Sequence, residues 1–276
     1  GIGENEGEMK ILQVTDMHIT RPGLGLYAFD PRARLAAAVA DINRHHGDAA
    51  LCLFTGDLTD NGAPDAFAVL RDVLADLSIP YRLLLGNHDH RQNFLSVFPE
   101  AECDASGFVQ ARVTLEDVEL LLLDTHEPKQ GAGTYCAKRC AWLRESLAAC
   151  GDRPVYIFMH HPPFDVGLPC MDRIKLSDDA AFQDIVAEAK NLRHIFFGHL
   201  HRPVSGSWHG IPFSGVRSTV HQVPLDLRDR DEVPYSGAAP QYAVIFLEAA
   251  QTTVHLHDFL TEVELPGTVE RYPVLA

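Results

Sequence analysis

Basic residues are scarce in this chain. Against 38 Asp and Glu there are 23 Lys and Arg, so the formal charge is −15 with 15 histidines counted neutral. A surface that negative disfavours a nucleic-acid polymer or an anionic membrane as partner. It leaves an anionic small molecule open, because bound cations reverse a local field. Long apolar runs are missing as well; none approaches the roughly 18 residues of a membrane span. There are six cysteines and no CxxC. A chain of this size needs no disulfide scaffold, and free thiols fit the cytoplasm, although Cys136 and Cys140 are close enough in sequence to pair. Residues 1–8 have neither the charge nor the apolar core of a signal peptide, and Gly1 in place of a methionine reads as processing or a cloning remnant, which leaves a removed signal open. No internal repeat, heptad array or low-complexity linker appears. Gly23-Leu24-Gly25-Leu26 belongs to no complete GxGxxG, which argues against a dinucleotide site and reads as a mobile lip.

What remains is an ordinary globular composition, 46% hydrophobic and 22% charged. Residues 10–15 read as a buried strand ending at Asp16. Asp30-Pro31 is a cap followed by proline at the first helical position, and Leu35, Val39 and Ile42 carry an apolar stripe to about residue 45. A second strand, 50–55, ends in Gly56-Asp57. A helix over 64–76 and a strand over 80–85 follow, the latter ending in Gly86-Asn87-His88-Asp89. This alternation implies parallel strands with helical crossovers. Residues 108–115 and 118–124 read as an antiparallel hairpin. A helix over 137–149, a strand over 155–159, a helix over 178–190 and a strand over 192–197 come next. Short strands are expected near 203–208, 211–214, 220–223, 241–248 and 253–259, with 224–240 the most loop-like stretch. The reading is an α/β chain with mixed sheets. The expectation is a single domain over residues 1–276, with 224–276 a variable loop and C-terminal β extension.

Five polar clusters stand where apolar strands end: Asp16-Met17-His18, Gly56-Asp57-Leu58-Thr59-Asp60, Gly86-Asn87-His88-Asp89, His160-His161 and Gly198-His199-Leu200-His201. Ligands at the carboxyl ends of strands are the usual arrangement in α/β folds. Any one cluster is more often a turn or cap than a ligand set. Five together would bury many ionisable groups, which is costly without cations. Carboxylate, imidazole and amide donors without thiolate favour Mn, Fe or Zn over a structural thiolate zinc. Seven good donors are too many for one catalytic ion with an open position and suit two ions roughly 3.5–4 Å apart.

The order DxH, GDxxD, GNHD, HHPP and GHxH resembles the calcineurin-like metallophosphoesterase superfamily over residues 10–201. Within it, the compact spacing and Ser218-Thr219-Val220-His221-Gln222-Val223-Pro224 resemble the class III cyclic-nucleotide phosphodiesterase and glycerophosphodiesterase group. The resemblance implies a four-layer fold, a central β-sandwich of mixed sheets flanked by helices. It implies that Asp16, His18, Asp57 and His201 hold a first metal, with Asp57 bridging, and that Asn87, His160 and His199 complete a second. His88 would act near the phosphoryl oxygens or leaving group, oriented by Asp60, and Asn87 and His88 would meet substrate. His161 either contacts substrate or packs. Two divalent or mixed-valence ions, Mn or Fe with Mn or Zn, would lower the pKa of a shared water, so that hydroxide attacks phosphorus. Met17 departs from the small polar residue familiar at the DxH centre and implies a more apolar pocket floor. The implied activity is hydrolysis of a small phosphodiester, a cyclic nucleotide or glycerophosphodiester, by a cytoplasmic homodimer with no nucleic-acid or membrane partner. The alternatives are a phosphomonoesterase, a phosphonate monoester hydrolase, or a non-catalytic metal-stabilised binding protein.

Overall fold

The structure is a computed structural model, and it describes residues 9–177 and 180–260. Two sheets form its centre. In the first, β1 (Met9–Val14), β2 (Leu51–Thr55) and β3 (Tyr81–Leu84) run parallel, while β12 (Tyr242–Leu247) and β13 (Thr252–His257) add antiparallel strands beside β1. In the second, β5 (Val118–Leu122), β7 (Val155–Met159) and β9 (Leu192–Phe197) run parallel. That sheet is edged by β4 (Ala111–Leu115) and by the hairpin of β10 (Val204–Trp208) and β11 (Ile211–Gly215). A two-stranded ribbon of β6 (Gly133–Thr134) and β8 (Leu176–Ser177) lies apart.

Alternation along the strands sets the layers. Ile11, Leu53, Tyr156, Phe158 and Phe196 share one apolar cluster between the sheets. Their neighbours Leu12, Val14 and Phe54 pack with Leu35, Val39 and Leu70 of α1 (Pro31–His45) and α2 (Pro64–Leu74), joined by Phe94 of α3 (Arg91–Val97). On the far side Ile157, Ile195 and Phe197 pack with Leu143 of α4 (Ala137–Cys150), Met171 of α5 (Pro169–Asp172) and Phe182 of α6 (Ala180–Glu188). Three cores between four layers follow directly from period-two strands buried on both faces. Gln13 ties the sheets where apolar contact stops, donating to Thr55 Oγ1 at 3.0 Å and to the Phe197 carbonyl at 3.3 Å.

Three local findings differ from the sequence expectation. Residues 220–223 form no strand; their backbone meets Ser218, Ser236 and His201 instead of a neighbouring ladder. The short helices α3 and α5 and the β6–β8 ribbon lie outside the elements the sequence pattern predicts. Met17 is fully buried in the first apolar core rather than lining a pocket floor. Cys136 and Cys140 are free, and Cys140 Sγ donates to the Tyr135 carbonyl at 3.3 Å. No helix among the described residues is long and apolar enough to cross a membrane. Residues 261–276, within the expected C-terminal extension, lie outside the described residues, as do 178–179 of the expected 178–190 helix.

Candidate metal centre

The parallel strands of both sheets end at one edge of the sandwich, and every expected donor lies just beyond such an end. Asp16 and His18 follow β1, Asp57 follows β2, and Asn87 and His88 follow β3. His160 and His161 follow β7, and His199 and His201 follow β9. The chain turns sharply there. Asp16, His18, Asp57, His199 and His201 all have positive φ, from +43° to +67°. Each such residue costs about 1–3 kcal/mol and persists only where its surroundings over-determine it. Here the loops extend the sheet: Asp16 N donates to the Gly56 carbonyl at 3.0 Å and His18 N to the Asp57 carbonyl at 2.9 Å.

Asp16, His18, Asp57 and His201 each bring one donor atom within 4.8 Å of the others. His201 Nε2 lies 3.1 Å from Asp16 Oδ1 and 3.2 Å from His18 Nε2. A second group joins His160, His161 and His199 on the same criterion of 4.8 Å. Asn87 Oδ1 lies 3.1 Å from His160 Nε2. Asp57 Oδ2 stands between the groups, 3.6 Å from His18 Nε2 and 3.3 Å from His160 Nε2.

Two observations show that the donor set suits cations. His160 Nδ1 donates to the Thr55 carbonyl and His201 Nδ1 to the His221 carbonyl, both at 2.8 Å. With Nδ1 held outward by a main-chain carbonyl, each ring turns its Nε2 toward the cluster, the second-layer arrangement of metal-binding histidines. His199 Nε2 is buried without a hydrogen-bond partner. Burial opposes the ionised form of Asp57, yet His160 and the other nearby imidazoles hold its carboxyl well below the usual range. Burial likewise opposes charge on His160, but Asp57 and Asp16 raise it to about 9. His199 is pushed down to about 3, by burial first and by His160 second.

His88 and Asp60 meet differently from the expectation. His88 Nδ1 donates to the main-chain carbonyl of Asp60 at 2.8 Å, while the Asp60 carboxylate faces His18 Nδ1 at 3.5 Å. Sequence gives residue types and spacing, and it is silent on which atom of Asp60 faces the ring. His161 is fully buried, with Nδ1 2.8 Å from Thr125 Oγ1 and Nε2 3.2 Å from the Gly131 carbonyl, so both nitrogens have partners.

Some residues at this edge had no assigned role. Asp89 accepts from Leu58 N, Gly86 N, Thr59 N and Thr59 Oγ1 at 2.9–3.0 Å, binding the β2 and β3 loops together. Burial and the charge of Asp57 push its carboxyl up to about 6 against those donors. Its place in GNHD was the available signal. The 218–223 segment braces the two metal loops: Ser218 Oγ donates to the Asp16 carbonyl at 2.7 Å, and Val223 N to the His201 carbonyl at 3.2 Å. His221 is buried beside His18 and His201, with one ring nitrogen within 4.8 Å of theirs. A small pocket of about 70 Å³ opens over this cluster, with Tyr27 and Tyr235 in its wall. A roomier cavity of about 200 Å³, lined by Tyr81, Arg82 and Phe94 among others, has no comparable donor cluster.

A four-layer α/β sandwich with clustered carboxylates and imidazoles at its strand ends defines a metal-dependent hydrolase. The family model of the calcineurin-like phosphoesterases matches residues 9–203, and the chain belongs to that family. It is 42% identical over 255 residues to a Rhodopseudomonas palustris protein named "Probable cyclic nucleotide phosphodiesterase", covering 91% of this chain and 93% of that one. It is 29% identical over 255 residues to a glycerophosphodiester phosphodiesterase of Enterobacter lignolyticus, covering 89% of each. In three dimensions it resembles a dimetal phosphatase from Danio rerio, with a TM-score of 0.70 and 14% identity over 91% of this chain and 96% of that one. The paired donor groups and this kinship support metal-dependent phosphodiester hydrolysis.

Proposed function

We propose that the chain hydrolyses P–O bonds of small phosphodiesters, cyclic nucleotides or glycerophosphodiester-like molecules, at two metal ions. The observation that carries this reading is Asp57 Oδ2, placed within 3.6 Å of an imidazole nitrogen from each donor group. One carboxylate so placed would serve two cations and offset their repulsion. We assign Asp16, His18, Asp57 and His201 to the first ion and Asn87, His160 and His199 with Asp57 to the second. When bound, the ions supply Lewis acidity toward phosphoryl oxygens and lower the pKa of a water toward neutrality. The thiolate-free donor set favours Mn, or Fe with Mn or Zn.

The protein's own part lies in charge and position. Asp16 and Asp57 keep the centre anionic enough to hold cations. Asn87 contributes a neutral amide oxygen. His88 Nδ1–H is held by the Asp60 carbonyl, which leaves Nε2 for the substrate or its departing oxygen. The charge of Asp57 raises the His88 pKa above its ordinary value, against burial, which favours the protonated form a general acid needs. We assign His161 to packing that positions the His160 loop, since both its nitrogens are occupied.

The deciding experiment is a substrate panel on protein loaded with Mn, Fe/Zn or Zn: cAMP, 2′,3′-cyclic nucleotides, glycerophosphodiesters, bis(p-nitrophenyl) phosphate and a monoester. Faster turnover of diesters is expected. Preference for the monoester would favour a phosphomonoesterase, and inertness of metal-loaded protein would favour a binding protein. Two further parts of the proposal are a cytoplasmic location, supported by six free thiols, and a homodimer. β13 is an edge strand and Leu256 on it is 40% exposed, whereas Val254 and Phe259 pack inward. Sedimentation showing only a 30.5 kDa species at micromolar concentration would reject the dimer.

A further inference from the structure

Tyr27 occupies a turn that its residue type does not favour. Leu26 N donates to the Phe29 carbonyl at 2.9 Å and Phe29 N to the Leu26 carbonyl at 2.8 Å. Between them Tyr27 and Ala28 have φ of +48° and +65°. Two left-handed residues inside a bonded pair make the mirror-image turn where Asn and Gly are usual. A backbone cost kept beside a reactive centre points to a side chain whose position matters.

That position is the mouth of the metal pocket. The Tyr27 ring lies 4.8 Å from the His221 ring and 5.2 Å from that of Tyr235, and Tyr235 lies 4.9 Å from His221. The buried His221 ring in turn lies 4.9 Å from His18 and 4.5 Å from His201. The rings thus run from the donor cluster to solvent, where Tyr27 is 54% and Tyr235 48% exposed. The Tyr235 side is fixed by its own bonded pair, Gln222 N to Ser236 O at 2.9 Å and Ser236 N to Gln222 O at 2.7 Å. Arg34 links the two lips: its guanidinium lies 3.8 Å from the Phe29 ring centroid, and its Nη1 donates to the Val220 carbonyl at 2.8 Å.

We propose that Tyr27 and Tyr235 form an aromatic platform, with His221 as its inner wall, that binds a flat ring system attached to the substrate's phosphate. These residues then set the preference for ring-bearing over aliphatic phosphodiesters. The inference rests on the phosphodiester reading for the chemistry at the metals, while the stacking itself needs only the exposed rings. A nucleobase offers a π face to two fixed aromatic rings, and a glycerol chain offers none. The two tyrosines enter the site pre-ordered by their turns, so little freedom is lost on binding.

The test uses Tyr27→Asn and Tyr235→Ser in the full, metal-loaded chain. Asparagine tolerates positive φ, so Tyr27→Asn removes the ring while relieving the turn, and its melting temperature should match or exceed the wild type. Two readouts are compared: kcat/KM on cAMP and on glycerophosphoethanolamine, and calorimetric Kd for adenosine 5′-monophosphate and for glycerol 3-phosphate. The ratio of cAMP to aliphatic kcat/KM should fall about tenfold in each variant, mainly through KM, and affinity for the adenosine ligand should fall alongside. Equal losses on both substrates, or no loss, overturn the platform. Wild-type protein inactive on both diesters defeats the phosphodiesterase reading instead. The calorimetry then decides the platform alone: a loss confined to the adenosine ligand supports it, and no adenosine preference in the wild type overturns it.

Discussion

Asp57 and His160 meet across the gap between the two sheets, Oδ2 to Nε2 at 3.3 Å. Asp57 follows β2 of the first sheet, and His160 follows β7 of the second. The other oxygen of Asp57 accepts the main-chain N–H of His88 at 2.9 Å. One carboxylate therefore fixes the β3 loop with one atom and faces both donor groups with the other.

Asp57→Asn should consequently lower occupancy at both metal positions, whereas Asn87→Ala should weaken chiefly the second. The first change removes a negative charge shared by two cations; the second removes one neutral donor. Elemental analysis after dialysis measures this, because excess metal would hide an affinity loss. Two full equivalents in dialysed Asp57→Asn protein would contradict the shared carboxylate.

Gly86→Ala should destroy the site through sterics alone. A Cβ there would stand 2.2 Å from Asp57 Oδ1 and 2.3 Å from Asp57 N, against backbone that cannot yield. Overpacking of this kind costs about 3 kcal/mol or more, which lowers Tm by roughly 6–12 °C for a chain of this size. Gly47→Ala is the control, since its Cβ would meet nothing closer than the Asn43 carbonyl at 3.5 Å. Equal melting temperatures for the two variants would show that the β2 and β3 loops move apart more readily than their hydrogen bonds suggest.

The parts of this molecule written in local pattern are legible in the sequence. Asp30-Pro31 announces α1, and Asp30 Oδ1 does accept from Ala33 N at 3.1 Å. Val155–Met159 is an apolar run too short for a helix, Leu192–Phe197 ends in the apolar Ile195-Phe196-Phe197, and both are central strands. The donors at strand ends were visible because polar residues interrupt such runs abruptly. Other features depend on atoms brought together from afar. α3 has seven residues and buries only Phe94, so no apolar period betrays it. Val220 to Val223 look β-prone, but Ser218, His201 and Ser236 take their backbone bonds. His221 is one histidine in a loop, and only folding sets it against His18 and His201. A main-chain carbonyl, such as that of Asp60 on His88, has no signature in side-chain sequence at all.

Acid stability offers a prediction away from the metals. His194 is buried between the sheets, its Nε2 2.9 Å from Ser214 Oγ and its ring stacked on Phe196 at 4.1 Å. Burial lowers its pKa from 6.5 to about 4. The folded state thus prefers the neutral ring. Its contribution is complete above pH 6.5 and is lost as pH falls toward 4, a change worth roughly 3 kcal/mol in full. His194→Gln keeps a hydrogen-bonding group without that titration. Denaturant unfolding of both proteins at equal metal content, from pH 7 to pH 4, should give a shallower decline for the variant. Parallel declines would assign the acid lability elsewhere.

His88→Ala should retain both metals and lose most diester hydrolysis. The ring packs edge-on against His18 at 4.7 Å between centroids, and its Nδ1–H is taken by the Asp60 carbonyl. His88 does gather with His18 and Asp60 within 4.8 Å, but it belongs to neither donor set assigned to the two ions, so metal content should hold. The free edge of the imidazole matters when charge develops on the departing oxygen, and help of that kind is worth about 10²–10⁴-fold. An alkoxide leaving group needs the proton more than p-nitrophenolate does, so the loss should be greater on cAMP than on bis(p-nitrophenyl) phosphate. Asp60→Asn leaves the main-chain carbonyl in place and should not reproduce that leaving-group pattern. It removes the carboxylate 3.5 Å from His18 Nδ1, so its effect should appear as weakened metal retention. The measurement is kcat on both leaving-group classes, with metal content checked in the same samples. Equal losses on both substrates would leave His88 as a phosphoryl-oxygen contact and remove the case for leaving-group protonation. A leaving-group-dependent loss in metal-replete Asp60→Asn would return the orienting role to the carboxylate.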